Sequence, residues 1–320
     1  MTRLLAMQSV LALLISCAAP IDVQGHRGAR GLFPENTKEG FAGALAIGVT
    51  TLEMDTGVTK DGVVVVHHDE RLHVDIARRD GTWVTVPTPA LKDLTFDELS
   101  RYDVGRLRPG SRYALRFPDQ RGRDGVRVPR LADVIAGAEQ LGVVRYNIET
   151  KLSPLEPEQT LAPEEFARAV VAVIRDSGIA ERTVVQSFDW RTLRHVQAMA
   201  PEIRTSCLTV EAADDDTVGR GEPGASPWTA GIDVDDFGST PALVHAAGCA
   251  VWSPSHRDID AVSVAAAHEL GLEVAPWTVN DEEDIARVVD WGVDAIISDY
   301  PNRVRAVLER RGLPLPPRLR

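Results

Sequence analysis

Two hydrophobic rhythms alternate along this chain. Short β-branched or apolar runs of period two predict strands at residues 23–25, 50–58, 143–150, 183–188, 204–210, 249–253, 273–279 and 294–298. Between them, apolar residues recur every three or four positions, as at Phe41, Ala44, Leu45 and Ile47. That spacing predicts helices over 37–47, 131–141, 163–177, 191–199, 241–247, 262–270, 282–291 and 302–310. A glycine follows most of these helices, as Gly48, Gly178 and Gly292 do, where a left-handed cap ends a helix. Eight strands alternating with helices predict a (β/α)8 TIM barrel. An open doubly wound sheet would carry a Gly-rich phosphate loop after its first strand, and Gly25-His26-Arg27-Gly28 does not match one.

The rhythm breaks over about 70–130, a stretch rich in charge, Pro and Gly. Thr95 and Glu98 form a capping-box pattern before Leu99, so one short helix is expected there. Contiguous apolar residues are too few for a core of its own. The segment therefore reads as an insertion after the second strand, on the C-terminal face of the barrel, serving as a lid or substrate-facing wall. A second long loop covers 211–240. Its Asp214-Asp215-Asp216 run reads as a solvated face. A calcium loop starting at Asp233 is excluded, because its twelfth position would be Val244 where glutamate is needed.

Length suits one barrel of ~250 residues with insertions, here 22–312 of 320 residues, followed by a Pro/Arg tail over 313–320. A net charge of −12 argues against a nucleic-acid partner. It also means that an anionic substrate needs local positive charge. Residues 1–21 read as an export segment. Arg3 precedes the apolar run Leu4 to Ile15, which is too short to span a membrane. Leu14-Ile15-Ser16-Cys17 fits cleavage ahead of a lipid-modified bacterial cysteine; the alternative is simple secretion with cleavage near Ala18 or Ala19. Either way the expected location is periplasmic or tethered to the cell envelope through Cys17. Cys207 and Cys249 read as two separate buried thiols, and no Cys/His spacing suggests zinc.

Chemistry concentrates between Val23 and Asp69. Glu53 and Asp55 lie two apart on one strand and so face one side. The turn Lys60-Asp61-Gly62 and the strand Val63 to Val66 would return His67 and His68 beside them. His26 and Arg27 end the first strand; Glu149 and Lys151 share a face at the end of the third. Strand ends at the C-terminal face are where barrel enzymes work. Like charges 4 Å apart repel by about 4 kcal/mol at an effective dielectric near 20. Three converging acids are therefore relieved either by one divalent cation or by salt bridges to Arg27 and Lys151. All-oxygen donors suit Mg²⁺ or Ca²⁺. His26 and His68 are acid–base candidates, although a lone histidine is commonly structural. Arg27 and Lys151 are suited to holding phosphate. Trp277 would shape the pocket wall. Asn147 and Gln186, polar within apolar runs, would orient the ligands.

The ordered set H-R-G, P-E-N-T, Glu53-x-Asp55, Asp61-Gly62 and V-V-x-H-D resembles glycerophosphodiester phosphodiesterases. So do Asn147-Ile148-Glu149-Thr150-Lys151, Gln186-Ser187-Phe188, Trp277-Thr278-Val279-Asn280 and Ser298-Asp299-Tyr300-Pro301 downstream. Those are metal-dependent TIM barrels of the phospholipase-C-like superfamily, and the resemblance covers about 22–310. It implies Glu53, Asp55 and Glu149 as ligands of one Ca²⁺ or Mg²⁺. It selects His68, directly before Asp69, rather than His67 as the partner of His26. It implies hydrolysis of a small glycerophosphodiester to sn-glycerol 3-phosphate and an alcohol, through a cyclic phosphate. Two alternatives share the barrel: lysophospholipid cleavage in the D sense, and a non-catalytic envelope binding protein. The second would have lost a ligand or a histidine, and this sequence retains all of them.

Overall fold

The structure, a computed structural model, describes residues 20–319. The expected export segment up to residue 19, with Cys17, lies outside these residues. Eight parallel strands form the barrel: β1 (Asp22–Gly25), β2 (Thr51–Val58), β3 (Arg145–Thr150), β4 (Thr183–Ser187), β5 (Arg204–Thr209), β6 (Val251–Pro254), β7 (Glu273–Val274) and β8 (Ala295–Ser298). They pair in the order β7–β6–β5–β4–β3–β2–β1–β8. Backbone bonds from Asp294 N to Val274 O (3.0 Å) and from Val279 N to Ile297 O (3.0 Å) bring the two ends of that order together. The expected strand 273–279 is regular only over Glu273–Val274, because Pro276 has no N–H to give to the ladder.

Each strand is followed by one barrel helix: α1 (Lys38–Ile47), α2 (Leu131–Glu139), α3 (Pro163–Asp176), α4 (Trp190–Met199), α5 (Thr240–Ala246), α6 (Ala261–Glu269), α7 (Glu282–Asp290) and α8 (Pro301–Arg310). Thr37 caps α1 by accepting from Gly40 N, and Gly48 ends it in the left-handed region. The main apolar core lies between the strands and these helices, with Phe41, Leu52, Ile148, Phe166 and Trp190 among its members. The barrel interior is different. A small apolar patch around Val251, Ala275 and Ala295 shares it with buried Gln24, Thr51, Asn147 and Ser206.

Two expectations need correction. The insertion does bury an apolar cluster: Leu72, Ile76, Leu91, Leu94, Leu99, Tyr102, Val104 and Val128 gather around Val65. These residues are scattered in sequence, so no contiguous run announces them. A three-stranded sheet (Arg78–Arg79, Thr82–Trp83, Tyr102–Asp103) frames the cluster. Beside the expected helix Phe96–Leu99 with its capping box, a second helix forms at Arg112–Arg116. Cys207 and Cys249 are not separate thiols but a disulfide, with Cα atoms 5.9 Å apart. Ala250 N donates to Thr205 O, which draws Cys249 alongside β5. Pairing between parallel strands is invisible to a reading of either strand alone.

Candidate active site

The C-terminal ends of β1, β2 and β3 gather the acids. Asp55 pairs in register with Glu149, and Glu53 with Asn147, so both strands present these side chains in one direction. Glu53, Asp55 and Glu149 each offer an oxygen within 4.8 Å of the others, and all three are buried. Among the described residues no other group of His, Cys, Asp and Glu does this. The oxygens therefore lie close enough to share one hard cation.

Their protonation reflects the crowding. Burial, then the charges of Asp55 and Glu149, push the Glu53 carboxyl well above its ordinary range. Burial outweighs Lys151 at Glu149 and lifts it to about 7. At Asp55 burial acts the same way, but Arg27, His68 and Lys151 prevail and hold it well below the usual value. Asp55 Oδ1 is buried and accepts no hydrogen bond. A buried acceptor without a donor, beside two acids short of counter-charge, fits a cation of the Mg²⁺ or Ca²⁺ kind.

Arg27 and Lys151 supply part of that counter-charge. Arg27 lies 2.9 Å from Glu35 Oε1 and 3.2 Å from Asp55 Oδ2; Lys151 Nζ lies 2.8 Å from Glu149 Oε1 and 3.9 Å from Asp55 Oδ1. The turn after β1 makes Arg27 serve twice. Its φ of 52° is left-handed, so its N–H donates to Glu53 Oε2 (2.8 Å) while its guanidinium reaches Asp55. Gly25 and Gly28 permit this turn: a Cβ on Gly25 would lie 2.0 Å from Gly28 O, and one on Gly28 2.8 Å from Gly40 C in α1. The glycines thus serve packing, not the approach of backbone to phosphate.

Both histidines border the acids, and each is held from behind. His26 Nδ1 is 2.6 Å from Asp299 Oδ1, and its Nε2 is 4.0 Å from Glu53 Oε2. His68 Nδ1 is 2.5 Å from Asp69 Oδ1. Burial would raise the two aspartates, yet Arg30 and His26 hold Asp299, and His68 holds Asp69, far below the carboxylate norm. Both are therefore ionised acceptors. Each neutral imidazole must then carry its proton on Nδ1 and leave Nε2 as a free base. Burial, then Arg30, lowers His26 to about 4; burial, then Arg27 and Lys151, lowers His68 as well. His67 turns away and sits 3.3 Å from Arg71 O, under the insertion.

The remaining expected residues fall around this centre. Gln186 Nε2 donates to Glu53 Oε1 (2.9 Å), and Asn147 Nδ2 donates to Gln186 Oε1 (2.9 Å). Trp277 donates its indole N–H to Ser253 O (2.9 Å), and its ring packs perpendicular to that of Phe188, with centroids 5.3 Å apart. Lys151 Nζ sits 5.7 Å above the Phe188 ring.

Several residues gained no role from sequence; Glu35, Asn36, Asn280 and Asp299 stand in the motifs above, whereas Arg30 and Tyr113 stand in none. Asn36 of P-E-N-T donates to Asp55 Oδ2 (2.7 Å) and accepts from Asp55 N, and Glu35 anchors Arg27. Asn280 donates to Asp299 Oδ2 (2.8 Å) and accepts from its N–H. Arg30 donates to Asp299 Oδ1 (2.6 Å), and Tyr113 of the insertion donates to Glu35 Oε2. Asp69, by contrast, is legible from its place next to His68. A cavity of about 540 Å³ opens at the opposite end of the barrel, where Asp22, Arg145 and Arg204 line it. None of the three acids or the two imidazoles lines it, and they decide where the chemistry is.

Comparison with known proteins agrees with this geometry. Residues 26–303 match the glycerophosphoryl diester phosphodiesterase family. A glycerophosphodiester phosphodiesterase of Caldanaerobacter subterraneus subsp. tengcongensis is 28% identical over 296 residues, spanning 91% of this chain and 98% of its own. The crystal structure of a protein from Silicibacter pomeroyi DSS-3, assigned as a glycerophosphoryl diester phosphodiesterase, superposes with a TM-score of 0.82 at 37% identity, covering 92% of this chain and 95% of that one. An Oleispira antarctica phosphodiesterase, solved with its product sn-glycerol-3-phosphate, shares the fold with a TM-score of 0.67 at 21% identity, covering 91% and 97%.

Proposed function

The chain belongs to the glycerophosphoryl diester phosphodiesterase family of phosphoric diester hydrolases, and from that premise we propose that it cleaves small glycerophosphodiesters to sn-glycerol 3-phosphate and an alcohol, with a divalent cation and two histidines. One observation carries the reading: three buried acids gather on β2 and β3, bordered by two imidazoles whose Nδ1 atoms are held by Asp299 and Asp69. The product seen in the Oleispira relative supports this substrate class.

Glu53, Asp55 and Glu149 would hold the ion. When bound, Ca²⁺ or Mg²⁺ neutralises these acids and draws electron density from substrate oxygens. The chain's own residues do the rest. Arg27 and Lys151 hold the phosphate oxygens, one by its fork and one as a point charge. One imidazole takes the proton of the glycerol 2-hydroxyl on its Nε2 as that oxygen attacks phosphorus. The bond from phosphorus to the alcohol oxygen breaks, and the other imidazole gives that oxygen a proton from Nε2. A cyclic phosphate results, and the imidazoles exchange roles as water opens it. The phosphate's negative charge favours the protonated imidazole, offsetting the burial that keeps both neutral beforehand. Asp299 and Asp69 keep each ring in the tautomer that makes Nε2 the working atom.

Glycerophosphocholine turnover, followed by released glycerol 3-phosphate, tests the reading. Chelation should abolish turnover and Ca²⁺ or Mg²⁺ should restore it; His68→Ala or Glu149→Ala should remove nearly all of it. Near-wild-type turnover in either variant, or indifference to chelation, would falsify the assignment. Lysophosphatidylcholine, assayed in parallel, distinguishes the D-type alternative by preferred cleavage of the acylated substrate.

We also propose that the protein is exported and works in the periplasm or on the cell envelope. The apolar leader supports this, as does a buried disulfide, which persists in oxidising compartments. Labelled fatty acid should be incorporated by the wild type and not by Cys17→Ser if the cysteine is the tether.

A further inference from the structure

A hydrogen-bonded ladder crosses the barrel interior from one end to the other. Gln24 Nε2 donates to Asp22 Oδ2 (3.0 Å). Asn147 Nδ2 donates both to Gln24 Oε1 (2.9 Å) and to Gln186 Oε1 (2.9 Å). Gln186 Nε2 donates to Glu53 Oε1 (2.9 Å). The foot of the ladder, Asp22 with Gln24 and Asn147, lines the cavity of about 540 Å³ at the N-terminal end; its head is a site acid. Barrel interiors are ordinarily filled by branched apolar side chains, so a continuous polar path there calls for a reason.

We propose that Gln24, held by Asp22, is a positioning residue for Glu53, acting through Asn147 and Gln186; this rests on the cation-binding reading above. Both end groups accept: Asp22 from Gln24, and Glu53 at Oε1 from Gln186 and at Oε2 from Arg27 N–H. Each end therefore claims the NH2 of its neighbouring glutamine, and both glutamines turn their carbonyl oxygens inward. Two inward oxygens need a central group with two N–H donors, and the Asn147 amide supplies both. Rotating any one amide sets oxygen against oxygen or N–H against N–H. The donors and acceptors along the ladder thus pair in a single arrangement, which leaves Asn147 Oδ1 as a buried acceptor without a donor. In it Gln186 holds one oxygen of Glu53 while Arg27 N–H holds the other (2.8 Å), and the carboxylate is fixed in place before a cation arrives. Partners behind a ligand commonly govern metal affinity by 10- to 100-fold.

Asn147→Asp separates this account from simple electrostatics. It keeps the shape and adds a negative charge, which by Coulomb attraction alone would tighten cation binding; it also removes both central donors, which by the ladder weakens binding. Gln24→Leu cuts the ladder without touching Glu53. The exchange Asp22→Asn with Gln24→Glu restores it: the amide introduced at position 22 would be the donor, and the carboxylate introduced at position 24 would accept both from it and from Asn147.

Ca²⁺ affinity of the purified protein, measured by isothermal titration calorimetry, reads the effect, and the thermal midpoint in chelator reports the fold. Gln24→Leu and Asn147→Asp should bind on the order of tenfold more weakly with the fold retained, and the exchange variant should recover to within about threefold of wild type. Wild-type affinity in Gln24→Leu, or tighter binding in Asn147→Asp, overturns the proposal. If Gln24→Leu does not fold, Asn147→Asp and the exchange variant decide by the same criteria. A wild-type protein that binds neither Ca²⁺ nor Mg²⁺ overturns the cation reading itself and the ladder's role with it, an outcome distinct from variants that match a binding wild type.

Discussion

Breaking the cross-link between Cys207 and Cys249 gives a prediction whose size follows from the structure. In the native state the cross-link adds little to hold, because β5 and β6 are already paired from Ser206–Val251 to Thr209–Pro254. Its effect falls on the unfolded chain, which it closes into a loop with a sequence separation of 42. In the chain-entropy account a loop of that size costs the unfolded state about 4 kcal/mol at 25 °C. At the shallow slope expected for a chain this long, roughly 2 °C per kcal/mol, the melting midpoint should fall by about 8 °C. Calorimetry on Cys207→Ala, Cys249→Ala and the double variant, purified oxidised, measures it. Either single change already opens the loop, so each should show nearly the whole loss. The double variant should add about 1 kcal/mol or less, from the second small cavity. Losses that simply add between the two single variants, or a midpoint drop under about 2 °C, would refute the cross-link as a constraint on the unfolded chain. A loss of the predicted size also bears on location, since a cytoplasmic thiol pool would withhold that stability.

Asp299→Asn should lower kcat on glycerophosphocholine by about 10²- to 10⁴-fold with KM nearly unchanged, because the amide no longer dictates which His26 nitrogen carries the proton; comparable losses in KM would instead mean a collapsed pocket. In the metal-free fold His26 and Glu149 pull stability in opposite directions with pH. His26 is lowered to about 4 from its ordinary 6.5, so between these values the unfolded chain binds a proton that the folded one refuses, and the His26 contribution to stability rises with pH across that window, whereas Glu149, lifted to about 7, contributes a fall. Urea midpoints taken in chelator between these pH values should therefore rise less with pH in His26→Gln than in wild type; an unchanged slope in the variant would reject the cause. Tyr113→Phe should cost about 2 kcal/mol of stability, since the hydroxyl gives its proton to buried Glu35 and accepts from Arg30 at 3.3 Å; a wild-type urea midpoint would mean that the insertion does not anchor the Arg27 turn.

What could be read from the sequence, and what could not, divides along a physical line. Periodicity within a segment reports which face is buried, and that sufficed for the order of strands and helices and for the shared face of Glu53 with Asp55. Strand ends then placed His26, Glu149 and Lys151 in the mouth, because barrel geometry fixes where strand ends go. Contacts between segments obey register, which periodicity does not carry. The pairing of Cys207 with Cys249 depends on how β5 lies beside the chain entering β6, and the apolar cluster of the insertion on side chains spaced from Leu72 to Val128. The same limit hid Asp299, which reaches His26 across 273 positions, whereas Asp69 could be found because its partner is the next residue. Asn147 and Gln186 were noticed as polar residues in apolar runs, but Gln24 and Asp22 were not, since each looks ordinary within its own strand. Only when β1, β3 and β4 lie around one interior does their donor count become a constraint. A polar residue in a barrel strand is thus informative in proportion to the partners it can satisfy across the barrel. That is why Gln24, with no unusual neighbour in sequence, stands two hydrogen-bonded amides away from Glu53.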